Sequence, residues 1–269
     1  MRASHVACRS EMRFEGCVAI VTGAGRGIGR ATACGLAAEG AKVLVNDVDD
    51  DVAAGVAQEI ASSGAHAEHL GGSVADRAFA AAMVAHAEER LGRVNVLVNN
   101  AGITAPAMTM KMTAEQWQGV IDVNLTGVFN CIQAVGPSFK HTHEQNPDVR
   151  CAGRIVNVSS VAGLRGTVGQ PNYGAAKAGV IGLTMSVARE WGRYRVVSNA
   201  VAFGAVETRM TETVRNDERF REKYLSEILL HRYASAEEVA RTIMFLASPD
   251  ADYITGHTLN VSGGLHIGY

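Results

Sequence analysis

The sequence predicts an α/β fold: a single doubly wound parallel sheet of about seven strands with helices on both faces. Short runs of β-branched residues alternate with longer segments of helical periodicity, a pattern typical of parallel βαβ units. The strand segments are continuous Val/Ile/Leu runs, which fit strands buried on both faces. No internal repeat or linker interrupts the pattern. We therefore expect one domain over residues 13–269, preceded by a flexible N-terminal tail at 1–12.

The individual strands and helices follow from the same alternation. Strands are expected at 17–22, 42–47, 66–72, 94–99, 153–160, 195–202 and 257–263. Helices are expected at 27–39, 50–63, 76–91, 113–140, 172–192 and 236–247. Thr113 and Ser235 are the expected N-caps of two helices, because a hydroxyl there accepts from free N–H groups of the first turn. A polar insertion at 140–153 and a charged helical stretch at 207–230 stand outside this pattern.

The composition excludes several classes of protein. The net charge of −2 argues against binding to nucleic acid or to a membrane surface, which both need clustered positive charge. No apolar run approaches the ~20 residues that span a bilayer, and the first dozen residues lack the apolar core of a signal peptide. The five cysteines form no CxxC pair and the nine histidines are scattered. We therefore expect no disulfide framework, no metal site and a cytoplasmic location.

A glycine-rich turn, TGAGRGIG at 22–29, joins the first strand to the first helix. Glycines there let the chain turn tightly and bring backbone N–H groups against a pyrophosphate at the helix N-terminus. The spacing TGxxxGxG departs from the general GxGxxG pattern, although the strand–turn–helix context is the same. The turn therefore predicts a nucleotide site, with simple turn chemistry as the alternative.

Two charged residues bear on which dinucleotide is bound. Asp47 ends the second strand, where a carboxylate accepts hydrogen bonds from the adenosine ribose and repels a 2′-phosphate. Arg26, inside the turn, acts the other way, because a cation can approach a 2′-phosphate. Since we take the repulsion as the stronger constraint, we expect NAD(H) to be favoured over NADP(H). The alternative for Asp47 is a loop or helix-capping acid.

The segment Asn99-Asn100-Ala101-Gly102 ends the fourth strand. A doubly wound sheet changes its winding direction at this point, and ligands bind there. Small residues and an amide would let the backbone approach the adenosine side of a cofactor. The alternative is a simple Asn-Gly turn.

Tyr173 and Lys177 are spaced i, i+4 on a predicted helix, so their side chains share one face. A lysine cation favours the phenolate, and lowering the tyrosine pKa by about three units requires about 4 kcal/mol. The cation, the cofactor charge and partial burial together could supply it, so that Tyr173 exchanges a proton with a carbinol oxygen. Ser160 could hydrogen-bond that oxygen, and Asn124 could orient a water between Lys177 and solvent. A surface Tyr/Lys pair and a turn-capping serine are the ordinary alternatives.

In this order the motifs resemble those of the short-chain dehydrogenase/reductase family. The resemblance rests on TGAGRGIG, Asp47, NNAG, Asn124, Ser160 placed thirteen residues before Tyr173, and YGAAK. It runs from about Cys17 to the C-terminus and implies a Rossmann-type fold and an NAD(P)-dependent oxidoreductase that interconverts a secondary alcohol and a ketone. The chain most resembles 3-oxoacyl-thioester reductases and 3-hydroxyacyl dehydrogenases. The implied substrate is a small carbonyl or alcohol compound, with an acyl thioester as one form.

The resemblance also implies roles for single residues. Tyr173 is the general acid/base, and Lys177 binds the nicotinamide ribose and tunes Tyr173. Ser160 positions the substrate carbonyl, and Asn124 supports a proton relay. A homotetramer that pairs the helices carrying Asn124 and Tyr173 is implied as well. The implied cofactor-binding residues are Gly23, Arg26, Gly27, Ile28, Gly29, Asp47, Ser73, Val74, Asn100, Ala101, Gly102, Tyr173, Lys177, Val206 and Thr208.

The sequence departs from the family pattern at a few positions. An acid is usual where Ser73 stands, and Asp is common where Asn95 and Ser262 stand. Pro-Gly is usual where Phe203-Gly204 stands, so this chain regains a backbone N–H there. None of these changes affects the Tyr/Lys/Ser/Asn set.

Two segments bear on the substrate. The stretch at 207–230 is expected to form a helical lid whose apolar underside carries Met210, Val214 and Phe220, with a solvated helical face as the alternative. The insertion at 140–153 is expected to be a surface loop, with contact to an acyl carrier or CoA as the alternative. For the protein as a whole, the alternatives are a non-catalytic nucleotide-binding regulator and a dehydrogenase of a steroid, sugar or other small alcohol.

Overall fold

A seven-stranded parallel sheet forms the centre of the structure, a computed structural model that describes residues 12–268 apart from the side chains of residues 213, 214, 219 and 220. The strands are β1 (Val18–Val21), β2 (Lys42–Asp47), β3 (Ala67–Gly71), β4 (Val96–Asn99), β5 (Gly153–Ser160), β6 (Val196–Phe203) and β7 (Thr258–Val261). Their spatial order is β3-β2-β1-β4-β5-β6-β7, and all neighbours are parallel. The predicted fold class is confirmed, while residues 1–11 of the predicted tail lie outside the described residues.

Helices cover both faces of this sheet. They are α1 (Gly27–Ala38), α2 (Asp50–Ser62), α3 (Arg77–Arg90), α4 (Ala114–Ile121), α5 (Gly127–Gln145), α6 (Ala162–Arg165), α7 (Pro171–Trp191), α8 (Glu212–Asn216), α9 (Glu218–Glu227) and α10 (Ala236–Ala247). One hydrophobic core packs α1, α2 and α10 on one face, and a second packs α3, α5 and α7 on the other. Within residues 12–268, no helix combines the length and hydropathy that crossing a bilayer requires.

The helix predicted at 113–140 is interrupted by a π-helical turn. Thr113 caps α4 as expected, in a reciprocal capping box with Gln116. Residues Asp122–Thr126 then form the π-helical segment, a feature often found at functional sites. Because α5 continues to Gln145, the first part of the predicted polar loop is helical; Lys140 and Glu144 form an i, i+4 ion pair there.

Strand β6 runs one residue further than predicted. Phe203 pairs with Ser160 of β5 and with Val261 of β7, and its side chain is buried. A proline at this position would lack the N–H that a strand within a sheet uses. The departure from Pro-Gly therefore extends the strand beside Ser160.

The charged stretch at 207–230 forms a short 3₁₀ turn followed by α8 and α9. Ile228, just after α9, is buried with Val161 and Leu265. Arg165 of α6 donates to Glu227 at 2.9 Å. The segment is thus anchored at its C-terminal end beside α6. Of the expected apolar underside, Met210 is 49% exposed, and the side chains of residues 214 and 220 lie outside the described part.

Candidate active site

The glycine-rich turn lies between the carboxyl end of β1 and the N-terminus of α1. Gly23 and Gly27 have φ angles of +60° and +54°, which favour glycine. A Cβ at Gly29 would lie 2.2 Å from the carbonyl oxygen of Gly23. At Gly27 the nearest atom to such a Cβ is a methyl carbon of Thr208 at 3.4 Å. Gly29 is therefore required by contacts within the protein, whereas Gly27 is favoured by its φ angle and a Cβ there would reach only Thr208.

The first turn of α1 fits an anionic group. Arg26 occupies the N-cap position without a side-chain hydrogen bond to the helix, and the first turn contains no acidic residue. The free N–H groups of a helix N-terminus and the helix dipole both favour a phosphate there. Thr208 lies over this turn, next to Gly27. The residues present are therefore suited to the pyrophosphate of a dinucleotide.

The NNAG segment holds the glycine-rich turn in place. Nδ2 of Asn100 donates to the carbonyl oxygens of Thr22 at 3.0 Å and Gly23 at 2.9 Å. In return, the hydroxyl of Thr22 accepts from the N–H groups of Asn100 and Ala101, both at 3.1 Å. Thr22 begins the predicted glycine-rich motif but is not among the predicted cofactor-binding residues. Its role in holding the turn depends on Asn100 and Ala101, which are distant in the sequence.

Other predicted cofactor residues lie at the same edge of the sheet. Ile28 packs against the core beneath α1, and Val206 is buried and bridges to Ala234. Val74 is buried against Gly127, where an added Cβ would lie 2.6 Å from Cγ2 of Val74. Ser73 accepts from the N–H of Ala75 at 3.3 Å. The contacts of these side chains are therefore with other parts of the protein, at the edge of the site.

Position 95 is Asn in this chain, where Asp is common in the family, and its side chain contacts the start of β1. Oδ1 of Asn95 accepts from the N–H of Val18 at 2.8 Å. A carboxylate oxygen would accept the same bond. This departure from the family pattern therefore leaves the start of β1 tied to the start of β4.

Ser160, Tyr173 and Lys177 converge where β5 ends and α7 begins. Nζ of Lys177 lies 5.6 Å from the centre of the Tyr173 ring and donates to the carbonyl oxygen of Val158 at 2.7 Å. Oγ of Ser160 accepts from the N–H of Ala162 at 3.1 Å. The structure thus brings together three of the four residues that the sequence predicts to be catalytic.

The electrostatics of this cluster differ from the expectation. Burial raises the pKa of Tyr173 to about 12, while the Ser160 hydroxyl acts in the opposite direction. Burial lowers the pKa of Lys177 to about 8. Desolvation disfavours the charged form of both groups, and Nζ is held by the carbonyl oxygen of Val158. The expected lowering of the Tyr173 pKa is therefore absent from the chain by itself and requires additional positive charge.

Asn124 lies in the π-helical segment and is fully buried. Its Oδ1 accepts from the N–H of Ile103 at 2.9 Å, and its Nδ2 donates to the carbonyl oxygen of Ile103 at 3.1 Å. A Cβ at Gly102 would lie 3.6 Å from both Asn124 Nδ2 and Lys177 Nζ. The amide of Asn124 therefore fixes the loop that follows Gly102, close to Lys177.

Asp47 and Arg26 lie on the adenosine side of the site. The carboxylate of Asp47 accepts from the N–H groups of Gly25 at 3.0 Å and Asp49 at 3.3 Å. A guanidinium nitrogen of Arg26 lies 3.4 Å from Oδ2 of Asp49, and both side chains are about half exposed. Backbone donors thus partly compensate the charge of Asp47, and the accessible cation of Arg26 lies beside Asp49.

Two solved structures are similar to this chain over nearly its whole length. A gluconate 5-dehydrogenase from Burkholderia cenocepacia, in complex with NADP and tartrate, has a TM-score of 0.88 and 33% identity, covering 95% of this chain and 97% of the other. A protein described as an NAD(P)-dependent gluconate 5-dehydrogenase from Beutenbergia cavernae, with NADP bound at low occupancy, has a TM-score of 0.87 and 36% identity, covering 95% and 98%.

The expectation that NAD(H) is favoured over NADP(H) is wrong. Both similar structures contain NADP. The expectation treated the Asp47 carboxylate as free to repel a 2′-phosphate, but this carboxylate accepts bonds from two backbone N–H groups. Arg26 is half exposed beside Asp49, and a guanidinium forms strong charge-assisted bonds to phosphate.

Curated relatives also match nearly the whole chain. A 3-oxoacyl-(acyl-carrier-protein) reductase of Synechocystis sp. is 48% identical over 250 residues, covering 92% of this chain and 96% of the relative. The same enzyme of Thermotoga maritima is 43% identical over 256 residues, covering 95% and 100%. A family model described as enoyl-(acyl carrier protein) reductase matches residues 23–266. The chain therefore belongs to the short-chain dehydrogenase/reductase family and is an oxidoreductase that acts on CH–OH and C=O groups.

Proposed function

We propose that the chain is an NADP(H)-dependent reductase of 3-oxoacyl thioesters, which converts the 3-keto group into a secondary alcohol. The observation that carries this proposal is the convergence of Ser160, Tyr173 and Lys177 beside a turn suited to a dinucleotide. Identities of 48% and 43% to two 3-oxoacyl-(acyl-carrier-protein) reductases support the substrate class.

The three convergent side chains divide the work of carbonyl reduction. Tyr173 gives its phenolic proton to the carbonyl oxygen; with a pKa of about 12 it is protonated at neutral pH. The hydroxyl of Ser160 hydrogen-bonds the same oxygen and orients it. Lys177 would hold the nicotinamide ribose, and its ammonium group stabilises the negative charge that Tyr173 gains when it gives up the proton. Asn124 holds the loop beside Lys177, where a water would return the proton from solvent to Tyr173.

The proposed cofactor site runs along the carboxyl ends of β1, β2 and β4. The backbone from Gly23 to Gly29 and the first turn of α1 would hold the pyrophosphate, with Thr208 next to Gly27. Arg26 would hold the 2′-phosphate. When bound, NADPH supplies the hydride that the carbonyl carbon accepts.

Exposed apolar side chains around the site favour an acyl substrate. Five large apolar side chains there are each at least 43% exposed. Three of them follow the NNAG segment: Ile103, Met108 and Met110. Val168 precedes α7, and Met210 lies on the proposed lid at 207–230. The N–H of Ala107 donates to the carbonyl oxygen of Gly169 at 2.8 Å, so the first two of these loops are neighbours. An acyl chain would cover such side chains, whereas a sugar acid would not.

A gluconate dehydrogenase is the second candidate, because the similar solved structures carry that description. The test is consumption of NADPH with a 3-oxoacyl thioester, a 2-enoyl thioester and 5-ketogluconate. We expect kcat/KM for the 3-oxoacyl thioester to exceed that for the other two by roughly 10²-fold or more. Preference for 5-ketogluconate would establish the second candidate. Tight NADPH binding without turnover on any substrate would indicate a regulatory nucleotide-binding protein.

Replacing Arg26 tests the cofactor. A charge-assisted hydrogen bond contributes about 1.5–3 kcal/mol, so Arg26→Ala is expected to raise the KM for NADPH by roughly 10–100-fold and to leave the KM for NADH nearly unchanged. Arg30→Ala is the matched control: Arg30 lies on α1, is similarly exposed and is paired with Glu59. An equal rise of both KM values in the Arg26 variant would show that Arg26 does not contact the 2′-phosphate.

We also propose a homotetramer in which α5 and α7 pair with their copies. Three large apolar side chains on these helices and on α4 are exposed to solvent: Trp117 of α4 (41%), Phe129 of α5 (44%) and Met185 of α7 (46%). Large apolar side chains on adjacent helices are typical of surfaces that become buried on assembly. Sedimentation velocity of the full chain measures the assembly directly.

A further inference from the structure

Buried polar side chains cross the interface between the sheet and α7. We define the polar seam as Asn99 on β4, Asn157 and Ser159 on β5, and Thr184 on α7. Each of the four is at most 2% exposed. The surrounding interface is apolar, with Ile155 and Val180 among its fully buried residues. A helix that packs on a parallel sheet needs only such apolar contacts for burial.

The hydrogen bonds of the polar seam run in one direction. Nδ2 of Asn99 donates to Oδ1 of Asn157 at 2.8 Å. Nδ2 of Asn157 then donates to Oγ1 of Thr184 at 2.9 Å. The hydroxyl of Thr184 donates to the carbonyl oxygen of Val180, within α7, at 2.7 Å. A side chain of β5 thus binds α7 directly at Thr184.

Two further bonds hold α7 at Lys177. The hydroxyl of Ser159 donates to the carbonyl oxygen of Lys177 at 2.9 Å. Nζ of Lys177 donates to the carbonyl oxygen of Val158 at 2.7 Å. The next residue of β5 is Ser160, whose hydroxyl acts on Tyr173. Successive residues of β5 therefore carry the anchors of α7 and the active-site serine.

The polar seam is not an efficient way to stabilise this interface. Oδ1 of Asn99 is buried without a hydrogen-bond partner among residues 12–268, which costs free energy. Apolar side chains of similar volume would avoid that cost. A directional hydrogen bond defines one position of the helix along the strand, whereas an apolar contact allows several.

We propose that the polar seam positions the reacting groups by fixing where α7 lies along β5. Tyr173 and Lys177 are on the helix and Ser160 is on the strand, so a sliding of α7 changes the distances from Ser160 to both of the other groups. The polar seam also reaches the cofactor site, because Asn99 directly precedes Asn100. A misplacement of about 1 Å can lower a catalytic rate by roughly 10²-fold. This inference rests on the proposed roles of Tyr173, Lys177 and Ser160.

Thr184→Val tests the polar seam, with Thr184→Ser as the conservative variant. The valine keeps the volume and loses the hydroxyl, so we expect kcat with NADPH and a 3-oxoacyl thioester to fall by roughly tenfold with KM little changed. The serine keeps the hydroxyl and is expected to stay within about twofold of the wild type. Thr242→Val is the control: this partly buried threonine of α10 donates to Val239 of its own helix at 2.6 Å. It is expected to leave kcat unchanged.

A double variant separates positioning from local damage. Ser159→Ala releases the second anchor and is expected to lower kcat as well. The Ser159→Ala/Thr184→Val double variant should lose less than the product of the single losses, because both changes release the same helix. Ser159→Ala and Thr184→Ser carry the test if Thr184→Val does not fold.

The possible results distinguish the two levels of the proposal. Wild-type kcat in both Thr184→Val and Ser159→Ala, or a loss in Thr184→Ser equal to that in Thr184→Val, would overturn the positioning role while the proposed function stands. Failure of the wild-type enzyme to reduce any 3-oxoacyl thioester would overturn the proposed function and the positioning role with it.

Discussion

Tyr173→Phe is expected to lower kcat by roughly 10³-fold and to leave the Kd for NADPH nearly unchanged. Phenylalanine keeps the ring that lies 5.6 Å from Nζ of Lys177 and removes only the hydroxyl that donates the proton. Turnover is measured by NADPH consumption with a 3-oxoacyl thioester, and the Kd by fluorescence titration. A loss in kcat without a loss in affinity is the signature of a group that acts in the transition state.

Tyr194→Phe is the control for this variant. Tyr194 follows α7 in a short 3₁₀ turn, where its ring lies against His143 at a centroid distance of 6.1 Å. It is remote from the reacting groups in the proposed mechanism, so its variant should retain the wild-type kcat. A Tyr173→Phe enzyme with near wild-type turnover would remove Tyr173 from the mechanism.

Gly29→Ala is expected to raise the Kd for NADPH by roughly 10²-fold and to destabilise the fold by about 1–3 kcal/mol. The added Cβ would lie 2.2 Å from the carbonyl oxygen of Gly23 and 2.5 Å from Nδ2 of Asn100. The first contact is with backbone, so the turn itself must move. Its N–H groups then lose their alignment with the pyrophosphate. Fluorescence titration measures the affinity, and thermal unfolding measures the stability.

Gly55→Ala provides the matched control on α2. No heavy atom lies within 4 Å of a Cβ built at Gly55. Alanine is favoured over glycine in a helix by about 1 kcal/mol, so this variant should be slightly more stable and bind NADPH as the wild type does. Unchanged affinity in Gly29→Ala would mean that the turn accommodates a methyl group and that close packing does not explain the glycine.

Several elements could be predicted to the residue because their signals are local. The bounds of β2, β5 and α10 agree with the sequence prediction. Continuous apolar runs mark the two strands, and Ser235 caps α10 through the reciprocal bonds of its side chain with Glu238. Such signals lie within a few neighbouring residues, which is why the sequence suffices for them.

The π-helical turn at Asp122–Thr126 had no comparable local signal. Its residues continue the helical periodicity, so the sequence predicts one uninterrupted helix. Asn124, inside this turn, forms two hydrogen bonds with the backbone of Ile103. The π-helical turn therefore occurs together with a contact to a different loop. Helical periodicity in the sequence does not predict that contact.

The surroundings of the Asp47 carboxylate could not be predicted from the sequence. The sequence correctly predicts that Asp47 ends a strand and that Arg26 lies in the glycine-rich turn. Whether Asp47 repels a phosphate depends on the two backbone N–H groups that its carboxylate accepts from. The bond from Asp49 is local, whereas the bond from Gly25 forms only when the turn and the end of β2 pack together.

The sequence by itself determined the fold class, the order of the strands and helices, and the positions of Ser160, Tyr173 and Lys177 on them. Only the tertiary structure decided which polar groups satisfy one another and how strongly burial shifts the pKa values of Tyr173 and Lys177. The physical reason is that periodicity and capping are properties of adjacent residues. Desolvation and hydrogen bonds such as those from Asn99 through Asn157 to Thr184 join residues that are distant in the chain.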